Sequence, residues 1–174
     1  MKLLSALTLT LVATAAAGCG PEKKTKTVYE DSPPVQVSYS VGFPSVAAAV
    51  DASGVRIRAF SVKSGAGTSA CHDLVQKRKS DQDLGKPVAE TELVTPCDLL
   101  QNPTKGQLAV PFGDYAILAV GFRGSDPLLI GCATTTVGEN GGKKASIAMT
   151  LFSNEVSIKQ SSCVDLSSHC KGGC

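Results

Sequence analysis

Apolar and polar residues alternate along short segments of the chain from residue 35 onwards. Residues 35–41 are apolar at every second position, and residues 55–62 follow the same pattern with Arg56 and Arg58 on the polar side. Successive side chains of a β-strand point to opposite faces, so this period predicts strands with one buried face. Further strands are predicted at residues 107–112, 115–122, 128–137 and 145–152, and a last one at residues 155–160.

Turn-forming residues separate these segments, at positions 51–54, 113–114, 124–127 and 138–142. About seven short strands at this spacing predict an all-β sandwich. The segment 115–122 is almost wholly apolar, which indicates a strand covered on both faces. Helix content should be small, and the best helical candidates are residues 72–79 and 98–101.

A short motif precedes the apolar strand, where Gly113 and Asp114 are followed by Tyr115. This order resembles the Gly-x-Tyr strand of transthyretin-like and carboxypeptidase-regulatory-like sandwiches, and the resemblance covers residues 106–152. It implies that the tyrosine ring packs inward while its hydroxyl bonds a nearby backbone group, as in a tyrosine corner. It also implies a structural or binding unit without catalysis. We therefore expect a single immunoglobulin-like or transthyretin-like β-sandwich of about seven strands, disulfide-braced, over residues 35–174 with a cysteine-rich C-terminal tail.

The first residues have the layout of an export signal. Lys2 supplies one positive charge, and residues 3–17 are uncharged and mostly apolar before Gly18. An apolar stretch of about 7–15 residues after a charged head is typical of a secretory signal, whereas a spanning helix needs about 20 apolar residues. We predict that residues 1–18 form a signal peptide.

The end of this signal reads Ala16, Ala17, Gly18 and Cys19. It resembles the lipobox of bacterial lipoproteins, with Ala16 where Leu is usual. The resemblance implies that Cys19 becomes the first mature residue and carries a diacylglycerol thioether, with acyl chains such as palmitate that hold it to the membrane. The residue after the cysteine is Gly20 and not Asp. By resemblance to the sorting signals of Gram-negative lipoproteins, this implies that the protein is attached to the outer membrane, on its periplasmic face or at the cell surface. The alternative is an ordinary secretory signal with Cys19 as one more disulfide partner.

The cysteine count bears on this choice, because the chain has seven cysteines and an odd one needs an explanation in an exported protein. Lipid on Cys19 leaves six that can all pair, in keeping with an oxidising compartment. These six are Cys71, Cys97, Cys132, Cys163, Cys170 and Cys174. The preferred pairs are Cys71–Cys97, Cys132–Cys163 and Cys170–Cys174, while Cys132–Cys170 and Cys163–Cys174 remain open.

Residues 19–34 are rich in charge and proline and poor in apolar residues, which predicts a flexible tether between the lipid and the domain.

The composition of the chain argues against some classes of partner. The chain carries 17 Lys and Arg against 15 Asp and Glu, so no strong field favours nucleic acid. Trp is absent and aromatic residues are few, which argues against a surface that stacks sugars or bases.

Motifs of catalysis and metal binding are missing from the sequence. It contains neither Gly-x-Ser-x-Gly nor His-Glu-x-x-His. The neighbours Cys71 with His72 and His169 with Cys170 offer ligands that zinc accepts, but their spacing differs from that of zinc sites. We expect no metal, no cofactor and no enzymatic activity.

These features together predict a lipoprotein held to a membrane through Cys19, whose domain is a non-enzymatic binding or structural module of the cell envelope with an envelope protein as its partner. Loops within residues 63–106 would make the contact. The alternative is a carbohydrate- or small-ligand-binding domain. Exposed apolar surface at a strand edge would favour the interaction module, and a concave pocket lined by polar groups would favour ligand binding.

Overall fold

The computed structural model describes residues 32–174 except 64, 103, 140 and 143. The predicted signal peptide at residues 1–18 lies outside the described residues, as do Cys19 and most of the tether predicted at 19–34. The described chain contains ten strands: β1 (Val35–Val37), β2 (Tyr39–Gly42), β3 (Gly54–Ser61), β4 (Ala89–Glu90), β5 (Leu108–Val110), β6 (Gly113–Arg123), β7 (Asp126–Gly138), β8 (Gly141–Gly142), β9 (Ala145–Ala148) and β10 (Thr150–Leu151). It contains four helices: α1 (Val46–Asp51), α2 (Gly67–Lys79), α3 (Pro96–Gln101) and α4 (Leu166–Cys170). Strand residues outnumber helical residues, so the prediction of a mainly β fold with little helix is confirmed.

Six strands form the main sheet, in the order β10-β7-β6-β3-β4, with β8 pairing with the far end of β7. Every pair in this sheet is antiparallel. Gly124 adopts a φ of 61° in the tight turn between β6 and β7, a conformation that glycine reaches without a steric penalty. All side chains of β6 from Tyr115 to Val120 are buried, which confirms the prediction of a strand covered on both faces. The predicted turn at residues 113–114 is instead the start of β6.

Four strands form two small sheets against one face of the main sheet. β1 pairs with β5 antiparallel, and β2 pairs with β9 parallel. Val110 and Ile147 from these pairs lie with Ile117 of the main sheet in one hydrophobic cluster. The single strand predicted at residues 35–41 is corrected to two strands, because Ser38 separates β1 from β2 and each has a different partner.

Helix α2 covers the opposite face of the main sheet. Leu74 of α2 lies in a second hydrophobic cluster with Phe60 and Leu118 of the sheet. The helix predicted at residues 72–79 is therefore confirmed, although it begins earlier, at Gly67.

The three shorter helices begin at side-chain caps. Ser45, Thr95 and Asp165 each accept a hydrogen bond from the backbone N–H three residues later, at 3.1, 3.0 and 2.7 Å respectively. Such a bond satisfies one of the donors that a helix N-terminus leaves free. α3 contains the helix predicted at residues 98–101, whereas α1 and α4 were not predicted.

Three disulfides connect the six cysteines of the described chain, as Cys71–Cys132, Cys97–Cys170 and Cys163–Cys174. The expectation of disulfide bonds is confirmed, but the preferred pairs Cys71–Cys97, Cys132–Cys163 and Cys170–Cys174 are wrong. Of the two open alternatives, Cys163–Cys174 is formed and Cys132–Cys170 is not. Tertiary packing determines these pairs. Helix α2 packs on β7, which brings Cys71 next to Cys132, and α3 contacts α4, which brings Cys97 next to Cys170.

Residues 155–160 do not form the predicted last strand. The two apolar side chains of this segment do pack against the first hydrophobic cluster. Its backbone, however, is held by side chains: Arg123 donates to the carbonyl of Ser157 at 2.6 Å, and Asp51 accepts from the N–H of Lys159 at 3.0 Å. The alternation therefore predicted burial correctly and secondary structure wrongly.

Candidate functional site

A cleft of about 680 Å³ opens beside the first turn of α2. It is lined by residues of α2, β6, β7 and the adjoining loops: Val62, Gly65, Gly67, Thr68, Asp114, Tyr115, Thr134, Thr135, Thr136, Gly138 and Glu139. Four threonines and two carboxylates contribute polar groups to this lining, and we call it the threonine cleft. The hydroxyl of Thr136 donates to the carboxylate of Asp114 at 2.5 Å. Threonine hydroxyls donate and accept hydrogen bonds and carboxylates accept them, which suits a polar, uncharged ligand.

Tyr115 supplies the one aromatic ring in the lining of the threonine cleft. Its side chain is almost fully buried, and its hydroxyl donates to the carbonyl of Pro111 at 2.9 Å. This is the contact that the tyrosine-corner resemblance implies. Burial raises the pKa of Tyr115, which keeps the hydroxyl protonated and able to donate.

A second pocket, of about 120 Å³, lies beside the last turn of α2. Its lining consists of three arginines and three apolar side chains of β6: Arg56, Arg58, Arg78, Leu118, Val120 and Phe122. Arg56 and Arg58 are two residues apart on β3, so both side chains lie on the face of the main sheet that α2 covers. Arg78 comes from the last turn of α2. We call this site the arginine pocket.

Two carboxylates pair with the arginines of this pocket. Glu90 Oε1 lies 3.2 Å from Nη2 of Arg58 and 3.4 Å from Nε of Arg56. Asp81 Oδ1 lies 3.5 Å from Nη1 of Arg78, and the Asp81 side chain is 99% exposed. The Nε atoms of Arg56 and Arg58 are buried and have no hydrogen-bond partner within the described part of the chain. These two Nε atoms therefore donate no hydrogen bond within the described residues, although Nε of Arg56 is in an ion pair with Glu90.

The outer edge of the main sheet exposes apolar side chains. β4 is the last strand in the sheet order, and Val88 and Leu93 on either side of it are each 45% exposed. A sheet edge with unpaired backbone groups can accept another chain, and exposed apolar side chains add to its affinity. Exposed apolar surface at a strand edge is the feature expected above of a protein-interaction module.

Three residues with metal-binding atoms meet in the C-terminal tail. The ligand atoms of Cys163, His169 and Cys174 all lie within 4.8 Å of one another, and Nδ1 of His169 is 3.6 Å from Sγ of Cys163. Both sulfurs are joined in a disulfide, and zinc binds thiolates, so the oxidised tail offers the imidazole alone. His72, weighed with Cys71 as a second source of ligands, is not part of this group, which is the one such group among the residues described.

A partly buried ion pair positions the C-terminal tail. Arg123 donates to the carboxylate of Asp51 through Nε at 3.0 Å and through Nη2, and the Asp51 side chain is 4% exposed. Burial alone raises the pKa of Asp51. The hydrogen bonds from Arg123 and from the N–H of Lys159, with the charges of both residues, outweigh it and hold the pKa below its ordinary value. The pair anchors residues 155–160 and is structural.

No protein-family model, no curated protein and no solved structure matches this chain. No helix in the part of the chain that the structure describes is long and apolar enough to cross a membrane. The placement of the cysteines and the chemistry of the two concave surfaces are therefore the observations that bear on function.

The arginine pocket was not predicted. Alternation along residues 55–62 placed Arg56 and Arg58 on the polar face of a strand, and the structure confirms that they share a face. Nothing in the pattern indicates that Arg78 joins them, because the packing of α2 on the sheet decides this. The sequence signals that relate to this site are the two arginines at positions 56 and 58 and the almost wholly apolar segment 115–122, which forms most of β6 beside them.

Proposed function

We propose that this chain is a bacterial lipoprotein, anchored to the outer membrane through lipid on Cys19, whose domain is a non-enzymatic binding or structural module of the cell envelope. The observation that carries the proposal is the pairing of the other cysteines. Six cysteines bind one another in three disulfides, so Cys19, the seventh, has no cysteine of its own chain left to pair with. A thioether to diacylglycerol gives this sulfur a chemical role.

The disulfides also support export. Disulfides form and persist in oxidising compartments such as the bacterial periplasm and the cell surface. An export signal at residues 1–18, followed by a charged, proline-containing tether at residues 19–34, would place the domain there. The anchor and the compartment are thus supported by separate features of the chain.

Lipid attachment is tested by comparing two cysteine variants in the bacterium that makes the protein. The wild type and Cys174→Ala should incorporate an alkyne-labelled palmitate and enter the detergent phase on phase separation, whereas Cys19→Ala should do neither. Mass spectrometry of the wild type should find residue 19 as the first residue, with the mass of the added lipid. A wild-type protein that stays in the aqueous phase, or a Cys19→Ala variant that keeps the label, would refute the anchor.

The binding or structural role is supported by the exposed edge of the main sheet. Val88 and Leu93 flank β4 and lie within the 63–106 region that the sequence argument assigns to partner contact. A photo-cross-linking amino acid at position 88 or 93 should give a defined adduct with an envelope protein in whole cells. The same amino acid at Glu155, an exposed position outside that region, is the control. Equal adducts from all three positions, or none from 88 and 93, would contradict this role.

For the architecture, we propose an immunoglobulin-like or transthyretin-like β-sandwich in which β1, β2, β5 and β9 form the second layer. The shared hydrophobic cluster and the hydrogen bond from Tyr115 to Pro111 support it, while the parallel β2–β9 pair and the helix α2 depart from that pattern. A Cβ at Gly131 would lie 3.0 Å from Cγ2 of Ile147, so the two layers approach closely there. We expect a nuclear Overhauser effect between the γ2 methyl of Ile147 and the α protons of Gly131, and its absence would contradict the layering.

The alternative function, binding of a carbohydrate or another small ligand, is favoured by the threonine cleft, a concave surface to which four threonines and two carboxylates contribute polar groups. Titration with a panel of mono- and disaccharides should shift the NMR resonances of cleft residues in the wild type. Thr136→Val should weaken the effect, whereas Thr150→Val, on an exposed strand position outside the cleft, should not. The absence of shifts across the panel, or equal loss in both variants, would rule against it.

A further inference from the structure

We propose that the arginine pocket binds an oxyanion, a carboxylate or phosphate group that carries a small apolar substituent. The proposal rests on the binding-module function proposed above and names a class of ligand for it. The pocket is separate from the threonine cleft, since the two lie at opposite ends of α2 and no lining residue belongs to both.

The charge of the pocket favours an anion. Three guanidinium groups line it, and each carries a positive charge. Glu90 is shared between Arg56 and Arg58, so one carboxylate serves two cations. The partner of Arg78 is Asp81, whose side chain is almost fully in water, and exposed ion pairs of this kind contribute little. The pocket therefore keeps an excess of positive charge.

Its unused donors call for an acceptor with several oxygens. The Nε atoms of Arg56 and Arg58 are buried but have no hydrogen-bond partner among the residues described, and Nε of Arg56 lies 3.4 Å from Glu90 without the alignment of a hydrogen bond. A buried donor without an acceptor is unfavourable. Carboxylates and phosphates offer two or more oxygens that match the planar fork of a guanidinium. An oxyanion above these guanidinium groups would supply acceptors in addition to the single carboxylate of Glu90.

The rest of the pocket explains why the substituent should be apolar. Leu118 and Val120 are almost completely buried and, with Phe122, form an apolar floor. A floor of low polarity strengthens hydrogen bonds to the charged group above it and gains from contact with an apolar substituent. A volume of about 120 Å³ accommodates a head group with a small substituent rather than a large ligand.

The arginines are held in place before any ligand arrives. The guanidinium of Arg78 stacks over the ring of Phe152, with its carbon 5.6 Å from the ring centroid, which is the range of a cation–π interaction. Arg56 and Arg58 project from β3 in the middle of its pairing with β6. Side chains that are already positioned lose little conformational freedom on binding, so the pocket is preorganised.

The proposal is tested by NMR titration of the full chain carrying Cys19→Ser, with inorganic phosphate, phenyl phosphate and benzoate as probes. We expect shifts at the amides of Arg56, Arg58 and Leu118, and binding of phenyl phosphate about tenfold tighter than that of inorganic phosphate because of the apolar floor. The preference between phenyl phosphate and benzoate decides which oxyanion the pocket takes. No shift at the pocket with any probe at millimolar concentration, or shifts confined to the threonine cleft, would overturn the proposal.

Variants separate a specific site from general attraction to a basic surface. Arg58→Gln and Arg78→Gln should each weaken binding about tenfold, and Arg58→Lys, which keeps the charge but loses the fork, should weaken it several-fold. Lys79→Gln removes the same charge from an exposed position next to Arg78 and should change affinity less than about twofold. Equal weakening by Lys79→Gln and Arg58→Gln would overturn the proposal, provided that all variants keep the wild-type spectrum elsewhere.

The outcome is independent of the membrane anchor, because the probes bind an unlipidated chain. If the pocket binds none of them, labelling of Cys19 and cross-linking at the sheet edge still test the function proposed above. If the anchor fails instead, oxyanion binding remains measurable.

Discussion

Replacing both Cys71 and Cys132 with alanine removes the covalent link between α2 and β7 while the other two disulfides remain. The two half-cystines are 61 residues apart in the sequence, and their Cα atoms are 5.5 Å apart in the fold. In the chain-entropy treatment, closing a loop of this length stabilises the folded state by about 4.3 kcal/mol at 25 °C. Cys163–Cys174 spans only 11 residues, and the same relation gives about 2.8 kcal/mol for it.

The burial of the two disulfides, like their loop lengths, predicts that loss of Cys71–Cys132 is the more destabilising. Cys71 and Cys132 are half-buried and pack against the second hydrophobic cluster, so truncating them also removes apolar contacts. Cys174 is exposed at the end of the tail. We therefore expect the Cys71→Ala/Cys132→Ala variant to lose at least about 1.5 kcal/mol more unfolding free energy than Cys163→Ala/Cys174→Ala.

The assay is urea unfolding followed by circular dichroism, on chains that carry Cys19→Ser and are kept oxidised. Tryptic mapping without reduction should first find peptide 64–77 joined to peptide 124–143. Two results would contradict this prediction. Equal destabilisation of the two double variants would contradict the loop-length argument, and peptide 64–77 joined to peptide 80–105 would contradict the pairing itself.

Three further predictions concern substitutions of single residues. Asp51→Asn removes a carboxylate whose pKa is lowered in the folded state. Such a group contributes stability above its unfolded pKa, and this stability is lost as the pH falls through the folded pKa. The difference in unfolding free energy between the wild type and the variant should therefore be largest near neutral pH and shrink below about pH 4. Urea titrations across this range measure it, and a difference independent of pH would contradict the linkage. Gly131→Ala would place a Cβ 2.6 Å from the carbonyl oxygen of Ala148 and should cost about 1–3 kcal/mol in thermal unfolding, whereas Gly138→Ala, with no neighbour within 4 Å, should be close to neutral. Tyr115→Phe removes a buried hydroxyl that donates to the backbone and should cost about 1 kcal/mol by the same measurement; an unchanged melting temperature would count against the role of this hydrogen bond.

Much of the strand layout was accessible from the sequence. Alternation and apolar runs located β3, β5, β6, β7 and the region of β9 and β10, because the period of side chains in a strand is a local property. The region 35–41 shows the limit of this signal. Its alternation is regular, yet the backbone changes partner at Ser38, and a pattern of burial carries no information about which strand lies alongside.

Of the candidate sites, those formed by residues close in the sequence were predicted, and those formed by residues far apart were not. Tyr115 and its hydrogen bond to the backbone were expected from a short motif, because both partners lie within a few residues of one another. The arginine pocket was not expected, since β3 and the last turn of α2 meet only after the helix packs on the sheet. The disulfide partners were mispredicted for the same reason, because nearness in sequence was taken as a guide to nearness in space.

Pattern and composition alone predict the mainly β character of the domain, the position of most strands and of α2, and an odd number of cysteines. These properties depend on period, composition and count, which are all present in the unfolded chain. The packing of helices and sheets determines which cysteines pair and brings Arg56, Arg58 and Arg78 together. It also explains why residues 155–160 are held by side-chain contacts of Asp51 and Arg123 and do not form a strand. Those contacts join residues far apart in the chain, and their energies exist only once the layers have packed.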